Sequence, residues 1–425
     1  MQNPPRTAWT DIALLILGLL GVLLYFCVGA FLIISGLLSI TNSAQGLDVA
    51  QPISMGVMFC LIGFLLVPGM WMIFQRMTGR LEPDRAAGLP FAPWHIPLIL
   101  IVWAVGLFGG QWAVDSPAPA WILLPVLIPL CVFPPIWLIV GLAARGYNLQ
   151  PRWRSWNALI LGTTLGPFLI LIAEGIFLGF LLVGVIAVVM SQPEMLAKME
   201  MLSSSLQFAQ SEEQIFALLG PLVVSPTFIA ILLFSLSIVV PMIEEILKPL
   251  AVWLFARRLE SRLDGFVLGA ICGAAYAVFE TGGVGAAAGG EWLVVLGARG
   301  GTSLLHIATS AWMGSAIVPA FRERKILQLL GVYAMAILLH GTWNAFSIFT
   351  GLGSAAMGQP GGEWLVTAGK FSPYGMGALA ALLLALVIYQ QYQFQRIQPQ
   401  TIAVESPALA DRLSNEPDNP ETVIR

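Results

Sequence analysis

Long apolar runs recur about ten times along this chain, and they leave it few ways to fold. They cover approximately residues 12–40, 53–75, 96–114, 121–144, 158–190, 226–256, 265–285, 302–320, 327–349 and 372–392. Each is roughly 20 residues or longer, enough to cross a hydrocarbon core of about 30 Å as a helix rising about 1.5 Å per residue. Lipid offers no partners to backbone N–H and C=O groups, so spanning segments of this length must satisfy them internally, as helices do. We therefore read an all-α, polytopic membrane helix bundle of about ten transmembrane helices. With 58% hydrophobic and 10% charged residues, and a mean hydropathy of +0.84, a water-soluble globule is excluded. The first run is longer than a signal-peptide core and lacks a clear small-residue cleavage site after it, which reads as a retained helix.

The cationic residues choose an orientation. Arg6; Arg76, Arg80 and Arg85; Arg145, Arg152 and Arg154; Arg257, Arg258 and Arg262; Arg322, Arg324 and Lys325; and Arg396, Arg412 and Arg425 fall on one face, while only Lys198, Arg299 and Lys370 fall on the other. The positive-inside rule makes the first face cytoplasmic and puts both termini there. A net charge of −3 and the absence of any matching motif argue against a nucleic-acid partner. Cys27, Cys60, Cys131 and Cys272 lie in apolar runs without paired spacing, so they read as core residues rather than disulfides or thiolate metal ligands.

Four regions follow from this pattern. Residues 1–220 form a five-span part ending in an acidic, Met- and Ser-rich outer loop at 191–220, apolar enough to lie on the leaflet or simply to connect. Residues 221–350 hold the chemistry, 351–398 add an outer loop and the last span, and 399–425 have the Pro, Asn and acidic composition of a disordered tail.

Depth ties the chemistry together. Counting the helical rise from the charges that bound each span, Glu244 lies about 20 Å in from Arg257 and Glu280 about 24 Å from Asp264. By the same count His306 is about 24 Å from Arg322, and His340 about 22 Å from Lys325. Four polar residues on successive helices share one stratum. Glu244 and Glu245 with Lys248 one turn on could be a structural ion pair, yet one lysine leaves a carboxylate over. Adjacent buried carboxylates have their proton affinities pushed apart, as a general acid and base require. Pro241 and Pro249 bracket the pair and release the carbonyls of Ser237 and Glu245 from helical bonding.

His340 and Asn344 share a helix face and can point donors at one oxygen, or form a plain interhelical hydrogen bond. Glu280 has Tyr276 one turn before it. Gly265, Gly269, Gly273 and Ala277 make an adjoining small-residue stripe that most simply serves helix packing. Glu174 is a further buried acid without an evident partner, and His95 beside Trp94 reads as interfacial.

These residues resemble the PrsW intramembrane proteases, relatives of the CAAX prenyl proteases and of bacteriocin-processing membrane proteins. The resemblance rests on EEILK at 244–248, DG at 264–265, GAAYAVFE at 273–280, the pair Arg299 and His306, and LLHGTWN at 338–344. It covers roughly residues 225–350. Tyr276 replaces the Phe of the second motif, and Thr281 stands where Asn commonly follows Glu280. The resemblance implies peptide-bond hydrolysis in or near the membrane, with a membrane-anchored substrate such as an anti-sigma-factor-like regulator. Glu244 or Glu245 would activate water, and His340 and Asn344 would stabilise the oxyanion. Glu280 and His306 would orient the water or protonate the leaving amine, with Lys248, Tyr276 and Arg299 in support. A metal mechanism would place Zn2+ on Glu280, His306 and His340. A metal-free glutamate mechanism is the alternative, since no His-Glu-x-x-His motif is present. Outside the proteases, a proton-coupled transporter or a non-catalytic membrane scaffold would also bury acids and histidines.

Overall fold

Apolar length translates directly into helices in the computed structural model, which describes residues 9–41, 46–80, 91–116, 120–147 and 152–414. Arg6, Arg85 and Arg425 of the cationic set, and tail residues 415–425, lie outside the described residues. Helices α1 (Trp9–Thr41) and α2 (Leu47–Met77) pack along each other, as do α3 (His95–Asp115) and α4 (Ala120–Ala143). The fifth span is α5 (Arg152–Thr163) and α6 (Leu165–Ser191), interrupted at Thr164. Residues 191–220 include two short helices, α7 (Pro193–Gln207) and α8 (Glu212–Val223). The sixth span comes in pieces: α9 (Pro226–Phe234), a π-helical turn at Ser235–Val239, α10 (Val240–Leu247) and α11 (Leu250–Phe255). Then follow α12 (Arg262–Ala286), α13 (Trp292–Glu323), α14 (Ile326–Ala355) and α15 (Glu363–Ser414). Ten stretches among the described residues are long and apolar enough to span a membrane, and none of those residues is in a strand.

At the centre, α12 and α13 run against each other and are buried along most of their length. Gly265, Gly269 and Gly273 permit the approach, because a Cβ at each would collide with the backbone carbonyl of Gly314, Ser310 or His306 respectively. Small residues at such a crossing are how membrane helices gain close packing where no hydrophobic effect drives them together. The Asp-Gly pair at the head of this stripe is structural: Ser261 and Asp264 form a capping box at the start of α12, and Asp264 also accepts the Tyr147 hydroxyl.

The broken sixth span follows from its prolines. In the π turn, the Val240 N–H bonds to the Ser235 carbonyl. The next bond in that register would run from residue 241 to Leu236, but Pro241 has no N–H. Asn344 of α14 fills the gap, donating its Nδ2 to the Leu236 carbonyl at 2.7 Å. The carbonyl left for a side chain is thus Leu236 rather than Ser237, because the π turn shifts the register by one. At Pro249 (φ −78°, ψ 32°) the chain turns between α10 and α11, and the Trp253 indole takes the Ile246 carbonyl at 2.8 Å. Replacing Asn344 by Leu should lower stability in detergent by about 1 kcal/mol, the net worth of a hydrogen bond to a part-buried carbonyl. An unchanged melting temperature would remove this role.

Beyond the last span α15 continues to Ser414 among the described residues. A helix already nucleated in the last span extends at little cost.

Candidate active site

Three helices supply the innermost groups. Glu244 and Glu245 come from α10, with Lys248 just past its end, His306 comes from α13 and His340 from α14, and their exposures are 6%, 0%, 1%, 1% and 2%. The Lys248 ammonium sits among them, 2.8 Å from Glu244 Oε2 and 2.9 Å from Glu245 Oε1. It also lies 2.7 Å from His306 Nδ1 and 3.4 Å from His340 Nδ1. Pro249 follows Lys248 directly, and the π turn ends five residues before Glu244, so both breaks bound this donor segment. π turns inside helices recur at functional sites because they re-aim the residues that follow.

The imidazoles are set by carboxylates that can only accept when ionised. His306 Nε2 lies 2.5 Å from Glu280 Oε2, which leaves its Nδ1 lone pair facing Lys248. His340 Nδ1 lies 2.7 Å from Glu245 Oε1, which leaves Nε2 free, 3.9 Å from Glu244 Oε2. Behind them Arg299 binds both oxygens of Glu280, at 3.1 and 2.8 Å, and donates to Thr281 Oγ1. Thr281 thereby takes part in the network at the position where the related motif has Asn. The Tyr276 ring meets His306 edge-on at 5.2 Å, and the Lys248 ammonium is 5.0 Å from the Tyr276 ring centre. Of the cluster, Glu280 is the most open, with 29% of its side chain exposed.

One group of three side chains has the closeness a metal ion would need. Glu244, His306 and His340 offer ligand atoms within 4.8 Å of one another, all three buried. Glu280 stands behind His306 instead: it holds the outer nitrogen of that ring and both its oxygens are engaged by Arg299. That is the place of a carboxylate that orients a metal-ligating histidine. A Glu-His-His donor set, with one lone pair left on each ring, fits zinc chemistry. Asn344 Nδ2 donates one of its two N–H groups to the Leu236 carbonyl. The shared stratum does hold: rise along a helix sets depth, and Glu244, Glu280, His306 and His340 meet.

Glu174, left unplaced by the sequence, joins them. α6 packs on α10 and α12, and the Glu174 carboxyl lies within electrostatic reach of Glu244, Lys248 and Glu280. Its Oε1 is buried without a hydrogen-bond partner. The signal was there: Glu174 is the sole charged residue in α6. Counting from Arg154 sends it about 30 Å deep, out of the stratum, because that count ignores the break at Thr164.

Paired carboxylates and imidazoles locked together inside a helix bundle are the equipment of a membrane-embedded hydrolase. A family model for the PrsW family intramembrane metalloproteases matches residues 150–369, more than half of the 425 residues. The chain belongs to this family and is an intramembrane protease at that level. The match reaches beyond the motif-bearing stretch on both sides and takes in Glu174. No curated protein and no solved structure matches the chain.

Proposed function

We propose that this cluster hydrolyses a peptide bond in or beside the membrane segment of a membrane-anchored protein. The observation that carries the reading is the convergence of Glu244, Glu245, Lys248, His306 and His340 in one buried site, with Glu280 and Arg299 behind it. Glu245 is the general base. Its Oε1 is held by Lys248 and His340, whereas its Oε2 is buried and has no hydrogen-bond partner, ready to accept a proton from water. As that proton moves to Glu245, the water oxygen bonds to the scissile carbonyl carbon and the C=O electron pair moves to oxygen. With the ammonium in the position seen here, Lys248 supplies positive charge for the oxyanion. Collapse breaks the C–N bond, and Glu245 returns its proton to the leaving amine. Glu280, braced by Arg299, keeps His306 in one ring orientation, and Glu245 does the same for His340.

Glu244, His306 and His340 are the residues that would hold zinc, which when bound supplies a Lewis acid and a water of lowered pKa. Both termini are cytoplasmic in this reading, in a plasma membrane of bacterial type, and the substrate reaches the site from the extracytoplasmic half. An anti-sigma-factor-like membrane regulator fits as substrate on the family resemblance.

The test is cleavage of a library of single-span membrane peptides by purified protein in detergent. Wild type should cleave, lose activity with a chelator and regain it with zinc. Cleavage indifferent to chelation would overturn the metal reading. No cleavage by a well-folded protein across the library would count against the protease and for a scaffold or transporter.

A further inference from the structure

The Lys248 ammonium stands where the metal donors converge. It contacts Glu244 Oε2 at 2.8 Å and His306 Nδ1 at 2.7 Å, and approaches the His340 ring at 3.4 Å. These are the three residues whose ligand atoms cluster within 4.8 Å. A zinc ion needs its donors at roughly 2.0–2.2 Å, with lone pairs turned toward it. An ammonium 2.8 Å from Glu244 Oε2 and 2.7 Å from His306 Nδ1 takes up the space in front of two of those donors and repels the ion. Lysine and metal therefore exclude each other at this point.

We propose that Lys248 is an internal cation holding the donor set closed until a divalent metal ion displaces it, and that Glu174 receives the displaced ammonium. The lysine stem is flexible, so its charge can move while α10 stays in place. Glu174 Oε1 is a buried acceptor without a partner, and its carboxyl is within electrostatic reach of Lys248. The Tyr276 ring, 5.0 Å from Nζ, offers the cation a favourable surface beside its present position. Charge balance points the same way. Four acidic side chains, Glu174, Glu244, Glu245 and Glu280, stand against two basic ones, Lys248 and Arg299, so acids outnumber bases by two.

This inference rests on the metal-holding part of the proposed function, but its test needs no substrate, so a failed peptide assay leaves it standing or falling by itself. Protein purified in detergent and stripped with chelator is titrated with Zn2+, and bound zinc is measured by elemental analysis alongside the zinc-induced rise in melting temperature. Lys248→Met should bind zinc about tenfold tighter or more, the size of a typical coupling between two exclusive ligands. Glu174→Gln should bind it several-fold more weakly than wild type, and this loss should vanish in the Lys248→Met background, where no ammonium needs a new partner. Equal zinc affinity in wild type and Lys248→Met, or no zinc bound by either, overturns the proposal. A Glu174→Gln effect that persists without Lys248 overturns the receiving role. Should Lys248→Met fail to fold, Glu174→Gln decides alone: unchanged zinc affinity sinks the exchange.

Discussion

Replacing Glu245 by Gln should lower peptide cleavage by about 10²–10⁴-fold, the usual worth of a positioned general base, while the protein still folds. Gln has the same shape and keeps one carbonyl oxygen for the Lys248 and His340 contacts, at 2.9 and 2.7 Å in the native protein. What it lacks is a second oxygen able to take a proton. Glu245 is fully buried, so no bulk-water base can easily replace it. Glu244→Gln should differ in kind: it removes a metal donor, so its activity loss should come with weakened zinc binding. Comparing bound zinc in the two variants separates base from ligand. A Glu245→Gln protein that cleaves like wild type would move the proton-handling role elsewhere.

Gly273→Val should both destabilise the bundle and abolish cleavage. A Cβ at residue 273 would fall on the His306 carbonyl of α13, and backbone cannot swing aside as a side chain can. Overpacking of this kind costs about 1–3 kcal/mol and sometimes more. Relieving it means pushing α13 away from α12, which parts His306 from Glu280, now 2.5 Å apart. Gly297, on the same helix as His306, has nothing within 4 Å of a built Cβ, so Gly297→Ala is the matched control and should be close to neutral. Melting temperature in detergent and cleavage of the same peptide report the two consequences. Native stability in Gly273→Val would mean that the α12–α13 crossing adjusts and that the site does not depend on it.

Much of this architecture was legible in advance because the membrane imposes it. Apolar length alone predicts ten spans, and ten are present among the described residues. Helical rise predicts the common depth of Glu244, Glu280, His306 and His340, and these side chains meet. Rise says nothing about rotation around each helix axis, and that is where the reading from sequence stopped. Which carboxylate joins the two imidazoles was decided by azimuth: Glu244 faces the ligand atoms of the rings, while Glu280 approaches His306 from behind and is tied to Arg299.

Asn344 and Glu174 make the same point from opposite sides. Four-residue spacing puts Asn344 on the face of His340, but the π turn exposes the Leu236 carbonyl and takes one N–H of the amide. A straight count takes Glu174 out of the stratum, whereas the interruption at Thr164 lets α6 bring it to α10. The sequence by itself determined the class of fold, the number of spans and the depth of the charged groups, since burying charge in lipid is costly wherever the helices pack. Only the tertiary structure decided which groups touch, because helix breaks at Thr164, Pro241 and Pro249 and the glycine-mediated crossing of α12 with α13 set directions that no local pattern encodes.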